Sequence, residues 1–174
     1  MRKAFVLLIT LVVMLLLATC VTIYFGGSYK NVEEAISELS GLDISQVDIK
    51  KTKEQGKYVF VFYEASNSSN IQLLCLEKKS LSSYIFVGSS QSNNQVDIFQ
   101  WGSGEELVLV IYGNNEELNA SYYNFVYNNK EYSIDITEPY FLDVFAITYT
   151  NNSSSLVNGC ILYDDKGNEL ESVL

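Results

Sequence analysis

An uncharged apolar run near the N-terminus constrains this chain more than any other feature. Residues 4–25 contain no charged side chain. As a helix rising about 1.5 Å per residue, the run would span about 33 Å, enough for a hydrocarbon core of about 30 Å. Arg2 and Lys3 precede it, and only Lys30 follows closely. Because positive charge favours the cytoplasmic side, we expect a single-pass cell-membrane protein with a cytoplasmic N-terminus and an extracytoplasmic C-terminal domain.

The same run has two other interpretations. A cleaved signal peptide shares the cationic start and apolar centre, although it is usually shorter. Residues 17–20 read L-A-T-C and look like a lipobox, in which Cys20 would carry the lipid. Thr19 departs from the Gly or Ala usual before that cysteine, and the apolar residues 21–25 depart from the usual polar tether. The length favours a retained anchor, and all three interpretations place the rest of the chain outside the cytoplasm.

The remaining sequence suits one domain. We divide the chain into an anchor or signal segment at residues 1–25, a short linker at 26–30 and an extracytoplasmic β-rich domain at 31–174. Arg2 and Lys3 are the only charged residues among the first 25, so the remainder holds 9 of the 11 basic residues and all 21 acidic ones, a formal charge of −12. Such a charge repels nucleic acid and attracts metal cations or a basic partner.

The absence of histidine limits the catalytic mechanisms that this chain can support. The chain has none, so Ser-His-Asp and Cys-His nucleophile systems cannot be built from it. Cys75 and Cys160 lie in apolar runs, where small buried thiols fit well. We expect two free thiols, with a disulfide between them as the alternative in an oxidising compartment. The sequence predicts no catalytic residue and no cofactor.

One short amphipathic helix follows the linker. Asn31 has the N-cap position, Glu34 the position that closes a capping box, and Gly41 the C-cap position. The helical spacing of apolar residues places four of them on one stripe: Val32, Ala35, Ile36 and Leu39. A helix this short is unstable alone, so we expect the stripe to lie on a sheet.

From residue 42 onward the period becomes that of strands. Two runs, residues 58–63 and 107–111, are apolar at every position, which indicates strands covered on both faces. The other strand candidates are residues 47–51, 71–77, 84–87, 96–101, 144–150 and, as the last strand, 160–163, after which a turn leads into residues 169–174. Turn-forming residues separate them, including a loop at 88–94. The predicted class is α+β: an N-terminal transmembrane helix, one short amphipathic helix, and a mainly antiparallel β domain that is either a sandwich or a curled sheet.

The clearest hairpin spans residues 122–136. Asn128 and Asn129 tolerate the positive φ that a two-residue turn needs. A two-residue loop here pairs Phe125 with Tyr132 and Tyr123 with Ile134 on one face, and it points Glu131, Ser133 and Asp135 the other way. Because a slip of one residue would set Phe125 against a polar side chain, the pattern specifies its own register.

The order of these landmarks resembles a group of small exported proteins. The matching features are Phe62-Tyr63, residues 74–79, residues 84–88, Tyr112-Gly113 and Tyr163-Asp164-x-x-Gly167. Together they resemble β-rich exported proteins of Gram-positive bacteria that have no assigned function. The resemblance implies an extracytoplasmic β domain and supplies no catalytic residue.

Two groups of acidic residues have a chemical interpretation. Oxygen ligands gather around Gly167, faintly like a calcium loop: Asp164, Asp165, Asn168 and Glu169. They lack the alternating spacing of an EF-hand, and a hairpin turn explains them better. Glu105-Glu106 and Glu116-Glu117 bracket the apolar strand at 107–111. As a catalytic pair they would need a cleft that the sequence does not indicate.

Aromatic residues near turns are the candidates for binding a ligand or partner: Trp101, Tyr122, Tyr123, Tyr140 and Phe141. Exposed rings at such positions can stack on sugars or contact a protein, although strand packing explains any single ring as well. Tyr140 and Phe141, beside Pro139, fit sheet alternation least.

Three functions follow. The favoured one is a membrane-tethered, non-catalytic extracytoplasmic domain that binds a protein or cell-envelope component through a sheet face or turn-borne aromatic residues. The second is an envelope hydrolase that uses Asp and Glu alone, with or without a metal ion. The third is a structural accessory subunit of a membrane complex, in contact through its anchor.

Overall fold

The computed structural model describes residues 28–66, 68–81, 83–103, 106–148, 157 and 159–173. These residues form one α-helix, α1 (Val32–Ser40), a 3₁₀ turn (Ile44–Gln46) and a series of strands. The strands are β1 (Ser28–Tyr29), β2 (Val47–Gln55), β3 (Tyr58–Ala65), β4 (Ile71–Ser80), β5 (Ser83–Ser92), β6 (Val96–Ser103), β7 (Glu106–Asn114), β8 (Tyr122–Tyr127), β9 (Lys130–Asp135), β10 (Tyr140–Thr148), β11 (Cys160–Tyr163) and β12 (Glu169–Val173). The predicted mainly antiparallel β domain with one short helix is confirmed.

The structure covers only part of the predicted N-terminal segments. The predicted anchor, Cys20 and the first two linker residues lie outside the described residues. Ser28 and Tyr29, expected within the linker, pair with Ile85 and Tyr84 as a two-residue strand. Over the part of the chain that the structure describes, the helices are too short or too polar to span a membrane.

The strands form three sheets, and every pairing is antiparallel. Sheet A has the order β1-β5-β4-β3-β2, sheet B the order β10-β7-β6, and sheet C the order β12-β11-β8-β9. Helix α1 packs on sheet A, sheet A on sheet B, and sheet B on sheet C. The sheets curl into a half-barrel, and at one seam Lys53 Nζ of β2 lies 3.3 Å from the carbonyl oxygen of Leu142 in β10.

The caps of α1 are those that the sequence predicts. Asn31 Oδ1 accepts a hydrogen bond from the Glu34 amide at 2.8 Å, and Gly41 ends the helix with φ +71°. The Glu34 carboxylate accepts from the amide of Lys30, one residue before the position expected for a capping box. Ala35 and Ile36 are fully buried against sheet A. Leu39, which the predicted stripe includes, is 41% exposed.

Strands β3 and β7 are covered on both faces, as their uninterrupted apolar runs predict. Alternate residues of β3 face sheet B and helix α1. In β7, which lies between β10 and β6, Val110 faces sheet A while Leu109 and Ile111 face sheet C. These three β7 side chains are fully buried. Burial on both faces makes these two strands the centre of the stack.

The predicted β8–β9 hairpin is confirmed in detail. Phe125 is opposite Tyr132, and Tyr123 is opposite Ile134. Asn128 and Asn129 have φ values of +50° and +58°, as a two-residue turn of this kind requires. The hairpin therefore places one apolar face on sheet B.

Several strands extend beyond their predicted bounds, and β5 and β10 show the physical reason. Strand β5 continues to Ser92, through residues expected as a loop, because it pairs with β4 as far as Ile71. Strand β10 begins at Tyr140 rather than near residue 144 because Phe141 pairs with Gly113. A Cβ at Gly113 would lie 2.7 Å from Val96 Cγ2 and 3.0 Å from the Phe141 ring. Only a glycine there leaves room for the ring.

Cys75 and Cys160 are free and buried, as predicted. Cys75 belongs to the layer between sheets A and B, and Cys160 to the layer between sheets B and C. Sheet B lies between the two layers, so the alternative of a disulfide between them is wrong.

Candidate binding face

The candidate site is the outer face of sheet C. Successive side chains of a strand point to opposite faces, and Tyr123 and Phe125 are buried against sheet B. Their neighbours therefore point outward. The outer face comprises Tyr122, Asn124 and Val126 of β8, Glu131, Ser133 and Asp135 of β9, and Ile161 and Tyr163 of β11. The outward direction predicted for Glu131, Ser133 and Asp135 is confirmed, since all three are exposed.

A pair of tyrosines forms the centre of this face. Tyr122 and Tyr163 are direct partners across β8 and β11. Their rings stack with centroids 5.1 Å apart and planes inclined by 14°, and both are half-buried. A Cβ at Gly167 would lie 3.6 Å from the Tyr122 hydroxyl. The structure therefore brings a predicted partner-binding ring beside the turn predicted as a candidate metal site.

Carboxylates lie on the same face as the tyrosine pair and in the adjoining turn. Glu131 and Asp135 lie on the face itself, and the β11–β12 turn adds Asp164, Asp165 and Glu169. The nearby cations are Lys130, at the hairpin tip, and Lys166, in the turn. Asn124 Nδ2 donates to Glu131 at 2.8 Å, which holds that carboxylate over the sheet. With five acids and two lysines, the face attracts cations.

The Asp164 carboxylate forms hydrogen bonds within its own turn. Its Oδ2 accepts from Asn168 Nδ2 at 2.7 Å, and its Oδ1 accepts from the amides of Asn168 and Lys166 at 2.7 and 2.9 Å. The bonds from the Asn168 side chain and backbone hold the pKa of Asp164 below its ordinary value. This is the hairpin turn that the sequence favours. Among the described residues, no cluster of three or more acidic or cysteine side chains is suited to a metal ion.

Two of the predicted aromatic candidates belong to the interior. Tyr123 has no exposed surface and Phe141 is 7% exposed; their rings stack at 5.7 Å. Trp101 is partly buried and meets the Tyr58 ring edge-on, with centroids 4.6 Å apart. Tyr123 and Phe141 therefore cannot meet a partner at the surface, whereas Trp101, Tyr122 and Tyr140 are each partly exposed.

Tyr140 lies at another edge, where sheets A and B meet. Lys50 Nζ lies 4.2 Å from the centroid of its ring. Its hydroxyl donates to Glu116 Oε2 at 2.7 Å, and Lys50 also pairs with Glu64 at 3.2 Å. Because these contacts occupy both the ring and the hydroxyl, Tyr140 joins the two sheets.

The predicted acid pairs take separate structural positions. Glu105 lies outside the described residues, and Glu106 begins β7. Glu116 accepts the Tyr140 bond, and Glu117 Oε2 accepts from Gln95 Nε2 at 3.0 Å. Burial raises the pKa of Glu171, but this residue lies on β12, whereas Glu116 and Glu117 follow β7.

Sequence reasoning missed Tyr163 and Val126 as members of the face. The signal was present in β11, where buried Cys160 and Leu162 alternate with Ile161 and Tyr163. What the sequence does not show is that β11 pairs with β8, which sets Tyr163 opposite Tyr122.

Comparison of the chain with protein-family models, with curated protein sequences and with solved structures found no significant match. The comparisons therefore assign no family, and the resemblance to exported proteins of Gram-positive bacteria stays a prediction.

Proposed function

We propose that this chain is a membrane-tethered, non-catalytic extracytoplasmic domain that binds a basic protein segment through the outer face of sheet C. The observation that carries the proposal is the stacked Tyr122–Tyr163 pair on a face that also carries Asp135 and Glu131, beside the acidic β11–β12 turn. The tether rests on the apolar residues 4–25 and their cationic flank. It is a retained transmembrane helix, with lipid attachment at Cys20 as the alternative.

The chemistry of the face fits lysine and arginine side chains. A cation over a tyrosine ring contributes about 0.5–1 kcal/mol at an exposed site. Asp135 is opposite Tyr122 across β8 and β9, where it can pair with the same cation, and Glu131 lies farther along the face, opposite Val126. Val126, 55% exposed, offers apolar contact for the stem of a long side chain. A segment in which basic and apolar residues alternate would satisfy all three groups.

The two alternatives stay predictions. The hydrolase needs converging carboxylates, one of which is protonated at neutral pH. Glu116 and Glu117, the candidates that the structure describes in full, each accept a bond from a neighbouring side chain. The accessory-subunit alternative depends on the anchor, which lies outside the described residues.

A peptide titration of the full-length protein in detergent tests the proposal. The probe is an arginine–leucine repeat peptide, and the matched control is the same peptide with glutamate in place of arginine. We expect shifted amide resonances on β8, β9 and β11 with the basic peptide alone. The double substitution Tyr122→Ala and Tyr163→Ala should weaken binding about tenfold, a loss of about 1.4 kcal/mol.

The control variant is Leu81→Ala, since Leu81 is 94% exposed on the β4–β5 turn. It should leave the affinity unchanged. Equal affinity in the wild type and the double tyrosine variant would refute the proposal, as would shifts that lie on sheet A and spare sheet C.

A further inference from the structure

A groove lies at the opposite end of the stack from sheet C. It runs over β3, β4 and β5, on the face of sheet A that carries α1, and the end of the helix forms one wall. Its volume is about 630 Å³, within the range of about 300–1,000 Å³ for small-molecule sites. Helix α1 covers one part of this face, and the groove lies beside its C-terminal end, at Leu39 and Ser40.

Among the described residues that line the groove, none carries a charge, although the chain has a formal charge of −10. Its polar groups are the Tyr63 hydroxyl, the carboxamides of Gln72 and Gln91, and serine hydroxyls that include Ser89. Among the described residues, the side chains of Tyr63, Gln72, Ser89 and Gln91 form no hydrogen bond. Burial raises the pKa of Tyr63, so its hydroxyl remains a neutral donor.

Apolar surface adjoins these polar groups. Phe86 is 43% exposed, and Leu39 is 41% exposed at the last turn of α1. Leu42 lines the same wall. An exposed phenylalanine ring beside uncharged hydrogen-bond donors and acceptors matches the chemistry of a saccharide. A sugar presents C–H groups to the ring and hydroxyls to carboxamides, and it carries no charge that would need a counter-ion.

We propose that this groove binds an uncharged saccharide chain. Phe86 stacks on the apolar side of one sugar ring, while Gln72, Ser89, Gln91 and the Tyr63 hydroxyl bond its hydroxyl groups. An anionic saccharide is disfavoured because the groove supplies no cation. The site is independent of the outer face of sheet C. A domain with both would contact a glycan on one side and a basic protein on the other.

The test uses the full-length protein in detergent and three soluble trisaccharides. N-acetylglucosamine trimer and maltotriose are the uncharged probes, and trigalacturonate is the anionic control of the same length. We expect at least one uncharged probe to shift the resonances of Phe86, Ser89 and Gln91, and trigalacturonate to shift none of them. Phe86→Ala should weaken binding about tenfold, whereas Phe86→Tyr keeps the ring and should change the affinity less than about threefold.

Three outcomes would overturn this proposal: no shift with either uncharged trisaccharide, equal affinity for trigalacturonate, or unchanged affinity in Phe86→Ala. A soluble paramagnetic chelate tests whether another part of the chain covers the groove. If it fails to broaden the Phe86 resonances, another part of the chain covers the groove, and the proposal also fails. The double tyrosine variant of sheet C should bind the trisaccharides normally, so the two proposals fail separately.

Discussion

Sheet B separates two buried layers that are built from similar parts. Each layer holds one free cysteine and one tyrosine with no exposed surface. In the layer toward sheet A, the Tyr112 hydroxyl donates to Asp97 at 2.9 Å. In the layer toward sheet C, the Tyr123 hydroxyl donates to Asp143, also at 2.9 Å. Each phenol thus satisfies its polar atom with a carboxylate at the rim, as buried hydroxyls require.

The layers differ in what else the carboxylate binds. Asp97 accepts a second bond from the neutral Ser90 hydroxyl at 2.7 Å. Asp143 pairs instead with the Lys53 ammonium at 3.3 Å. Because Tyr123 lies in sheet C, Asp143 in sheet B and Lys53 in sheet A, one carboxylate joins all three sheets.

This contrast bears on how sheet C is attached to the rest of the domain. Sheets A and B meet through long strands, such as the ten-residue β4 and nine-residue β7. The strands of sheet C have six residues or fewer. Asp143 links sheet C to sheets A and B through a phenol and an ammonium group, so we expect it to matter more to stability than Asp97.

The largest expected effect comes from cavities in either layer. Leu73→Ala opens the layer between sheets A and B, and Ile111→Ala opens the layer between sheets B and C. Each should lower the free energy of unfolding by about 2–5 kcal/mol. Because both layers share sheet B, we expect a single transition in urea, with Cys75 and Cys160 becoming labelled by a maleimide at the same midpoint. If Cys160 is labelled at lower urea than Cys75, sheet C unfolds separately.

Alkaline pH should destabilise both layers. Burial raises the pKa of Cys75 and Cys160 from the ordinary 9.0 to about 12. Above pH 9 the unfolded chain ionises its thiols while the folded chain keeps them protonated, so this contribution is complete below pH 9 and is lost between pH 9 and 12. Each thiol should lower the free energy of unfolding by at most about 1.4 kcal/mol per pH unit in that window.

The single variants Cys75→Ala and Cys160→Ala separate the two contributions. Each should flatten the dependence of the urea midpoint on pH between 9 and 11 by a similar amount. A slope that is unchanged in either variant would show that the thiol of that layer is ionised alike in the folded and unfolded chain.

The features predicted from sequence are those that neighbouring residues encode. The caps Asn31 and Gly41, the turn at Asn128-Asn129 and the register of its hairpin depend on local backbone preferences and alternation. The apolar runs of β3 and β7 identify central strands because burial on two faces removes the polar positions. In each case, the residues that decide the structure lie within about ten positions of one another.

What the sequence could not show depends on distant pairing. Tyr140 and Phe141 look misplaced until Gly113, in another strand, is seen to make room for the ring. A register shift in β5, where Leu76 pairs with Phe86 and Cys75 with Gly88, decides which side chains enter the groove. Neither candidate site can therefore be found from the sequence alone. The chemical exclusions drawn from composition, in contrast, do not depend on strand pairing.

The two buried hydroxyls give the next comparison. Tyr123→Phe removes a bond to a carboxylate and should cost about 1–3 kcal/mol. Tyr112→Phe should cost less, about 0.5–1.5 kcal/mol, because the Tyr112–Asp97 bond joins neighbouring strands of sheet B, whereas the Tyr123–Asp143 bond joins sheet C to sheet B. Urea unfolding of both variants at pH 7 measures the difference. An equal or larger loss in Tyr112→Phe would contradict the view that sheet C depends more on its polar bond.

The smallest loss of stability should come from removing the Lys53 ammonium, which pairs with Asp143. Lys53 is 44% exposed in its side chain, so Lys53→Met, which keeps most of the apolar stem, should cost only about 0.2–1 kcal/mol. A double-mutant cycle sharpens the test, since Lys53 and Tyr123 contact the same carboxylate and should show a coupling of about 0.5 kcal/mol or more. The matched cycle of Ser90→Ala with Tyr123→Phe has no shared partner and should be additive. If both cycles are additive, Asp143 binds its two partners independently, and the attachment of sheet C rests on apolar packing alone.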